Sequence, residues 1–184
     1  DVAEGLLTLF AVTGDQRWLT ATGQILETVL ALFARPDGGF FDTAQDAEKL
    51  IIRPCDPTDL ASASGWSAVT NSLLSYGTFM ASERHLRAAE DGLRIADQLG
   101  RKAPRFAGWL LAAAEAYLDG PFDVIVVGDP THPATQALRR AGVGSRRPGI
   151  AVVAGSEQSA ADAAGPFADR PMVNAAPTAY ICRG

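Results

Sequence analysis

The sequence repeats itself at a constant offset of 67 residues. The stretch from 6 to 32, LLTLFAVTGDQRWLTATGQILETVLAL, aligns without gaps with the stretch from 73 to 99, LLSYGTFMASERHLRAAEDGLRIADQL. Identical residues occur at Leu6/Leu73, Leu7/Leu74, Arg17/Arg84, Leu19/Leu86, Ala21/Ala88, Leu26/Leu93 and Leu32/Leu99. A structural unit repeated at this period cannot cover its own apolar face, so it must stack against a neighbour.

Each copy is predicted to be a pair of helices. The first helix should end near Gly14 or Ala81, and Asp15 or Ser82 should begin the second, because their side-chain oxygens can accept hydrogen bonds from free amides of a first helical turn. Apolar residues recur at helical spacing in the second helix of each copy. A third run, 105 to 120, resembles another opening helix, but no partner helix follows it.

From residue 121 the pattern changes to strand, helix, strand and final strand. The segments are FDVIVVGD, HPATQALRRAG, GIAVVAG and TAYICRG. The first two β-branched runs bracket a helix, which predicts a parallel crossover, and the last strand can lie beside either of them. We therefore expect helical hairpins over 1–120 and a small α/β appendage over 121–184. Two and a half hairpins cannot close a ring, so the missing surface must come from the rest of a longer chain, from a second copy or from the appendage.

The excursion from about 36 to 64 interrupts the repeat and is where we expect function. Gly38 and Gly39 permit a tight reversal. The segments GFFDT and KLIIRP are predicted to form a two-stranded β-hairpin, with Phe40 or Phe41 plugging the mouth of the helical stack.

Candidate site residues lie in this excursion and just after it. Asp42 and Asp59 could divide the acid and base roles that hydrolysis of a sugar bond requires. Phe41 and Trp66 could stack on a sugar ring, with Arg53 facing the ligand. Ser62 or Ser64 can cap the next helix, and Ser64 is also a candidate contact for substrate. The alternative is that the acids are solvated or bind their own turns, and that the aromatic residues are core plugs.

Charge and cysteine usage exclude some partners. The net charge is −5, and short basic clusters such as Arg139-Arg140 and Arg146-Arg147 are expected to be solvated, so no nucleic-acid surface is predicted. Cys55 and Cys182 are far apart and lack metal-ligand spacing, which predicts no metal site and a reducing, cytoplasmic setting. No cofactor is predicted, and VIVVGDPTHPATQAL lacks the G-x-G-x-x-G spacing of a nucleotide site. No apolar run is long enough to span a bilayer. The sequence begins within a helical pattern, which suggests a piece of a longer protein.

Several motifs in order resemble a known family. GGFFDT, LIIRPCDPTD, the SG that opens the next helix, VIVVG and TAYICRG are similar to the C-terminal part of the YyaL-like thioredoxin-domain-containing proteins, which include spermatogenesis-associated relatives. The resemblance covers nearly the whole chain. It implies a partial (α/α)6 toroid, like that of six-hairpin glycosidases and N-acylglucosamine 2-epimerases, and a thioredoxin-like domain preceding it in the full-length family.

The resemblance also implies a possible carbohydrate ligand, with the site at Asp42, Arg53, Asp59 and Trp66. In the family pattern, Cys55, Leu60, Ala63 and Trp66 stand where relatives carry a lysine, an asparagine, a proline and a second asparagine. These departures put the activity in doubt, while Asp56, Asp59, Ser64 and Gly65 match. The alternative is a non-catalytic scaffold or interaction module that supports the thioredoxin-like domain or forms a homo-oligomer. No C-x-x-C occurs in this sequence.

Overall fold

The computed structural model describes residues 1–145, 149–156 and 165–183. Within them the protein is mainly helical with a small α/β part, as predicted. The helices are α1 Val2–Thr13, α2 Gln16–Leu32, α3 Gly65–Phe79, α4 Glu83–Leu93, α5 Ala96–Lys102, α6 Gly108–Asp119 and α7 Pro133–Val143, with a 3₁₀ turn at Pro104–Phe106. The strands are β1 Phe122–Val127, β2 Ile150–Gly155 and β3 Thr178–Arg183.

The repeat is confirmed as two helical hairpins. Gly14 ends α1 with φ of 68°, and Asp15 begins α2 by accepting a hydrogen bond from the Arg17 amide. In the second copy Ala81 takes the same left-handed conformation, with φ of 47°. Ser82 is at the N-cap position of α4, but its hydroxyl bonds the His85 ring at 2.7 Å instead of capping an amide. The copies also differ in length, because α4 stops at Leu93 where α2 continues.

Successive hairpins pack through their opening helices. Helix α3 lies against α1 on one side and α6 on the other, while each opening helix also packs on its own partner, α2 or α4. The core between them includes Leu26, Trp66, Leu73 and Leu110. Stacking therefore buries the apolar faces that a single hairpin would leave in water.

The sheet has the order β2-β1-β3, with β1 and β2 parallel and β3 antiparallel to β1. The predicted parallel pair is thus confirmed, and the last strand takes the free side of β1. One sheet face packs Ile125, Val127 and Val153 against Leu7 and Phe10 of the first hairpin. The opposite face packs on α7 through Val124, Val126, Val152 and Leu138. The α/β part therefore covers some of the helical surface that the sequence left without a neighbour.

The predicted β-hairpin in the 36–64 excursion is wrong: this segment, which the structure describes in full, contains no strand. Its backbone bonds return to the end of α2, where the Phe41 amide donates to the Phe33 carbonyl at 2.9 Å and the Gln45 amide to that of Leu32 at 2.9 Å. Ile51 and Ile52 are almost fully exposed. Carbonyls at the end of a helix need donors, and this segment supplies them. A single backbone bond, from the Asp42 amide to the Pro54 carbonyl at 2.9 Å, joins the two stretches predicted as strands.

The predicted solvation of the basic clusters holds for Arg140, which is exposed, and only in part for Arg139, which is half-buried. Arg146-Arg147 lies outside the described residues. Across the described ranges, none of the helices is both long and apolar enough to cross a membrane.

Candidate functional site

The glycine-phenylalanine turn is a packing device. Gly39, with φ of 75°, lies over the Trp66 indole, and Phe40 is buried with its ring 6.4 Å from that of Trp66 at a nearly perpendicular angle. Trp66 is only 8% exposed, and its Nε1 donates to the Gly92 carbonyl at 2.8 Å. Phe40 is therefore the predicted plug. Trp66 belongs to the core, so its predicted stacking on a sugar is not supported.

Phe41 and Arg53 contact each other. The guanidinium carbon of Arg53 lies 3.8 Å from the centre of the Phe41 ring, and Nη2 donates to the carbonyls of Leu32 at 3.1 Å and Thr43 at 2.5 Å. Both side chains are half-buried. Arg53 thus ties the excursion to the end of α2 through a cation–π contact and two hydrogen bonds, which is a structural role.

The two candidate catalytic acids have different surroundings. Asp42 is exposed, and its Oδ2 accepts from the Asp56 amide at 3.2 Å. Asp59 is 6% exposed, and both its oxygens are occupied, Oδ1 by the Ser64 amide at 2.9 Å and Oδ2 by the Trp109 amide at 2.8 Å. Asp59 therefore joins the starts of α3 and α6, and each of its oxygens already accepts a hydrogen bond from a helix N-terminal amide. Their roles as an acid–base pair stay a prediction that these contacts do not favour.

Ser64 is the N-cap of α3, the first of its two predicted roles. Its Oγ accepts from the Ser67 amide at 3.0 Å and contacts the Ser67 hydroxyl at 2.9 Å. The hydroxyl also lies 3.3 Å from the Pro57 carbonyl oxygen. The predicted contact with substrate stays untested.

We expect Asp59→Asn to lower the free energy of unfolding by about 1–3 kcal/mol, because the new NH₂ group faces an amide donor and one buried N–H loses its acceptor. Asp56→Asn is the matched control. Asp56 is exposed and uses Oδ1 alone, for the Thr58 amide and hydroxyl, so the asparagine keeps those bonds. Urea unfolding measures both, and equal losses would contradict the structural role of Asp59.

A groove of about 460 Å³ lies elsewhere, where α1, α3, α6 and β2 meet. Its wall is partly apolar, from Leu7, Phe79 and Val152. The size is within the range of small-molecule sites, roughly 300–1,000 Å³.

Three polar or aromatic side chains converge at one end of this groove. Glu4 Oε1 accepts from Asn71 Nδ2 at 3.0 Å and from Trp109 Nε1 at 3.3 Å. The Trp109 residue is 50% exposed. Because Asp59 binds the Trp109 amide, the 36–64 excursion also holds this indole in place. The excursion thus positions the start of α6 through Asp59, while none of its acids lines the groove.

Sequence reasoning missed this cluster although a signal for it existed. Glu4 and Asn71 are equivalent positions of the repeat, two residues before the aligned Leu6 and Leu73. Extending the alignment therefore places a carboxylate and an amide at equivalent positions of neighbouring opening helices. Trp109 lies outside the two aligned copies.

Asp123 is a second chemically unusual group. It lies on β1, is 6% exposed, and its Oδ1 has no hydrogen-bond partner within the described ranges. Burial raises the pKa of this carboxyl to about 7, and the positive charge of Arg170 opposes that rise. Buried, unpaired and titrating near neutrality, Asp123 resembles functional carboxyls more than structural ones.

The described residues hold no cluster of three or more His, Cys, Asp or Glu side chains suited to a metal ion. Cys55 and Cys182 are free thiols. No protein-family model and no curated protein matches the sequence. Function must therefore be argued from the geometry of these sites.

Proposed function

We propose that this chain is the helical-hairpin part of a carbohydrate-binding protein of the YyaL-like, thioredoxin-domain-containing family, and that the groove at Glu4, Asn71 and Trp109 receives the sugar. The repeated hairpins with adjoining opening helices support an (α/α) toroid segment, since inner helices pack side by side in such a ring. The two free cysteines support a cytoplasmic setting.

The observation that carries the proposal is the half-exposed Trp109 ring next to a carboxylate and an amide inside a groove. An aromatic face covers the apolar side of a sugar ring, while carboxylate and amide groups bond its hydroxyls. Glu4 Oε2 has no hydrogen-bond partner elsewhere in the described part of the chain, so it can accept from a ligand.

Binding is favoured over hydrolysis. Glycoside hydrolysis generally uses two carboxyl groups on opposite sides of the scissile bond. The residues that line the groove supply one carboxylate, Glu4, and Asp59 is occupied by two amides. A catalytic role would need a second acid from outside this wall.

We expect Trp109→Ala and Glu4→Gln each to weaken sugar binding at least tenfold, as measured by calorimetry against a panel of mono- and disaccharides. Loss of a stacked aromatic or a charge-assisted hydrogen bond is worth about 1.5–3 kcal/mol, which corresponds to that factor. The matched controls are on α6 but outside the groove. Glu115→Gln removes a charge from an exposed position, and Leu118→Ala removes an exposed apolar side chain.

Binding that survives in both groove variants, or that falls equally in the controls, would contradict the placement of the site. Failure of every sugar to bind would favour the alternative, a scaffold that supports a thioredoxin-like domain or a second copy of the chain. That alternative has its own support, because the predicted catalytic Asp59 serves the fold and Ile51, Ile52 and Leu118 are exposed.

A further inference from the structure

A smaller cavity, of about 210 Å³, lies between the helical hairpins and the sheet. One wall is the C-terminal end of α3 with the following turn, Gly77 to Ala81, together with Leu86 of α4. The other wall is formed by β1, β3 and the segment 165–170. The cavity is separate from the groove at Trp109 and is below the roughly 300 Å³ of a site for a drug-sized ligand, so it suits a molecule of few heavy atoms.

One side of the cavity is electronegative. Asp123 faces the helical side of the sheet with Ile125, since alternate residues of a strand share a face. Its Oδ1 is buried without a hydrogen-bond partner among the described residues, an arrangement that costs stability unless something else binds it. The C-terminal end of α3 adds the negative pole of a helix of fifteen residues.

The other side is electropositive. Arg170 donates through Nη1 to the Pro166 and Ala168 carbonyls and through Nη2 to Cys182 Sγ at 3.4 Å. These contacts use three of the five N–H groups of a guanidinium, so within the described ranges two remain for a ligand. Arg183 also lines the cavity.

Strand register fixes how close the two sides are. Asp123 is directly opposite Cys182 in the antiparallel pair, so their side chains project from the same face about 5 Å apart at Cβ. Arg170 touches the Cys182 sulfur. An acid and a guanidinium therefore flank one small cavity without forming an ion pair of 4.0 Å or less within the described ranges.

We propose that this cavity binds a compact zwitterion with the size and charge pattern of a free α-amino acid, its ammonium on Asp123 and its carboxylate on Arg170. Separated opposite charges with unused hydrogen-bonding capacity select a ligand that carries both charges. An ammonium gives Asp123 the donor it lacks, and the carboxylate takes the remaining N–H groups of Arg170. Neither half of such a ligand satisfies both walls alone.

Alanine and the two molecules obtained by removing one of its charged groups test this. L-Alanine carries both charges, propionate lacks the ammonium and ethylamine lacks the carboxylate. Amide ¹⁵N–¹H NMR titrations of the whole chain at pH 8 should show saturable shifts with alanine at residues of β1, β3 and 77–81. Propionate and ethylamine should bind at least tenfold more weakly.

Asp123→Asn and Arg170→Gln should each reduce the affinity for alanine at least tenfold, whereas Asp129→Asn, an exposed acid beyond the other end of β1, should leave it unchanged. Absence of saturable shifts with alanine would overturn the proposal and leave water as the partner of Asp123. Equal binding of alanine and ethylamine would overturn it in favour of a simple cation site. None of these results depends on whether the groove at Trp109 binds a sugar.

Discussion

Gly39→Ala is expected to lower the free energy of unfolding by about 3 kcal/mol or more. Two costs add at this position. An alanine held at φ of 75° costs about 1–2 kcal/mol, because its Cβ crowds the following carbonyl oxygen. That Cβ would also stand 1.8 Å from Trp66 Cζ2, so the indole must move from its place under the turn and strain the core by about 1–3 kcal/mol more.

Gly38→Ala is the matched control. Gly38 has φ of 96°, but a Cβ there would be 3.4 Å from the nearest atom, the Asp91 carbonyl oxygen. Gly38→Ala should therefore lower the free energy of unfolding only by the conformational cost, about 1–2 kcal/mol. Urea unfolding of the two variants separates strain from clash, and a Gly39 variant no worse than the Gly38 variant would contradict the packing of the turn on Trp66.

Regular elements were predictable because their signals are local. Gly14 indicates the end of α1 because glycine readily adopts a left-handed backbone, and the repeat carries the same boundary to Ala81. The β-branched segments around α7 form the parallel pair β1 and β2. Internal repetition also predicted that each hairpin would stack against a neighbour. None of these three inferences required knowledge of a distant contact.

The β-hairpin predicted for the 36–64 excursion is wrong because the groups that bond to this segment are helix-end carbonyls and amides of other elements. Aromatic residues such as those in GFFDT are compatible with a strand, but the Phe41 and Gln45 amides donate to carbonyls at the end of α2 instead. Likewise, nothing local shows that the two oxygens of Asp59 meet amides five and fifty residues away. The acidic residues of this loop therefore suggested a catalytic site, whereas one of them, Asp59, links two helices.

The unusual character of Asp123 is visible in the sequence. It is a lone acid at the start of FDVIVV, a run whose other residues are apolar, and Val124 to Val127 are all buried. An ionisable residue on the inward face of such a strand must be paired, neutral or functional. Its position relative to Arg170 and Cys182 depends on β3, which the sequence could place on either side of the sheet.

Asp123→Asn is expected to stabilise the protein at neutral and alkaline pH. Burial raises the folded-state pKa of Asp123 to about 7, from a value of 3.8 for the free group, although Arg170 pulls it down. Between those values the folded protein holds a proton that the unfolded chain has lost, so the contribution of Asp123 to the free energy of unfolding falls as pH rises from about 4 to 7. Above pH 7 the ionised, buried carboxylate costs up to about 4 kcal/mol relative to acid conditions, which the neutral amide avoids.

The measurement is the difference in free energy of unfolding between variant and parent from pH 3.5 to 8.5. It should be near zero at the acid end and grow in favour of the variant until about pH 7, while contributions from other groups such as His85 cancel. Asp129→Asn should show the opposite sign, because hydrogen bonds from the Thr131 hydroxyl and amide lower the pKa of Asp129 and its carboxylate stabilises the fold at neutral pH.

Asp123 is the only carboxyl group among the described residues that line the cavity. The other titratable lining groups are the Cys182 thiol and the guanidinium groups of Arg170 and Arg183, and the lining residues from α3 and α4 carry no charge. A flat difference curve for Asp123→Asn would mean that the carboxylate has a partner at neutral pH, and the electronegative wall of the cavity would then be absent.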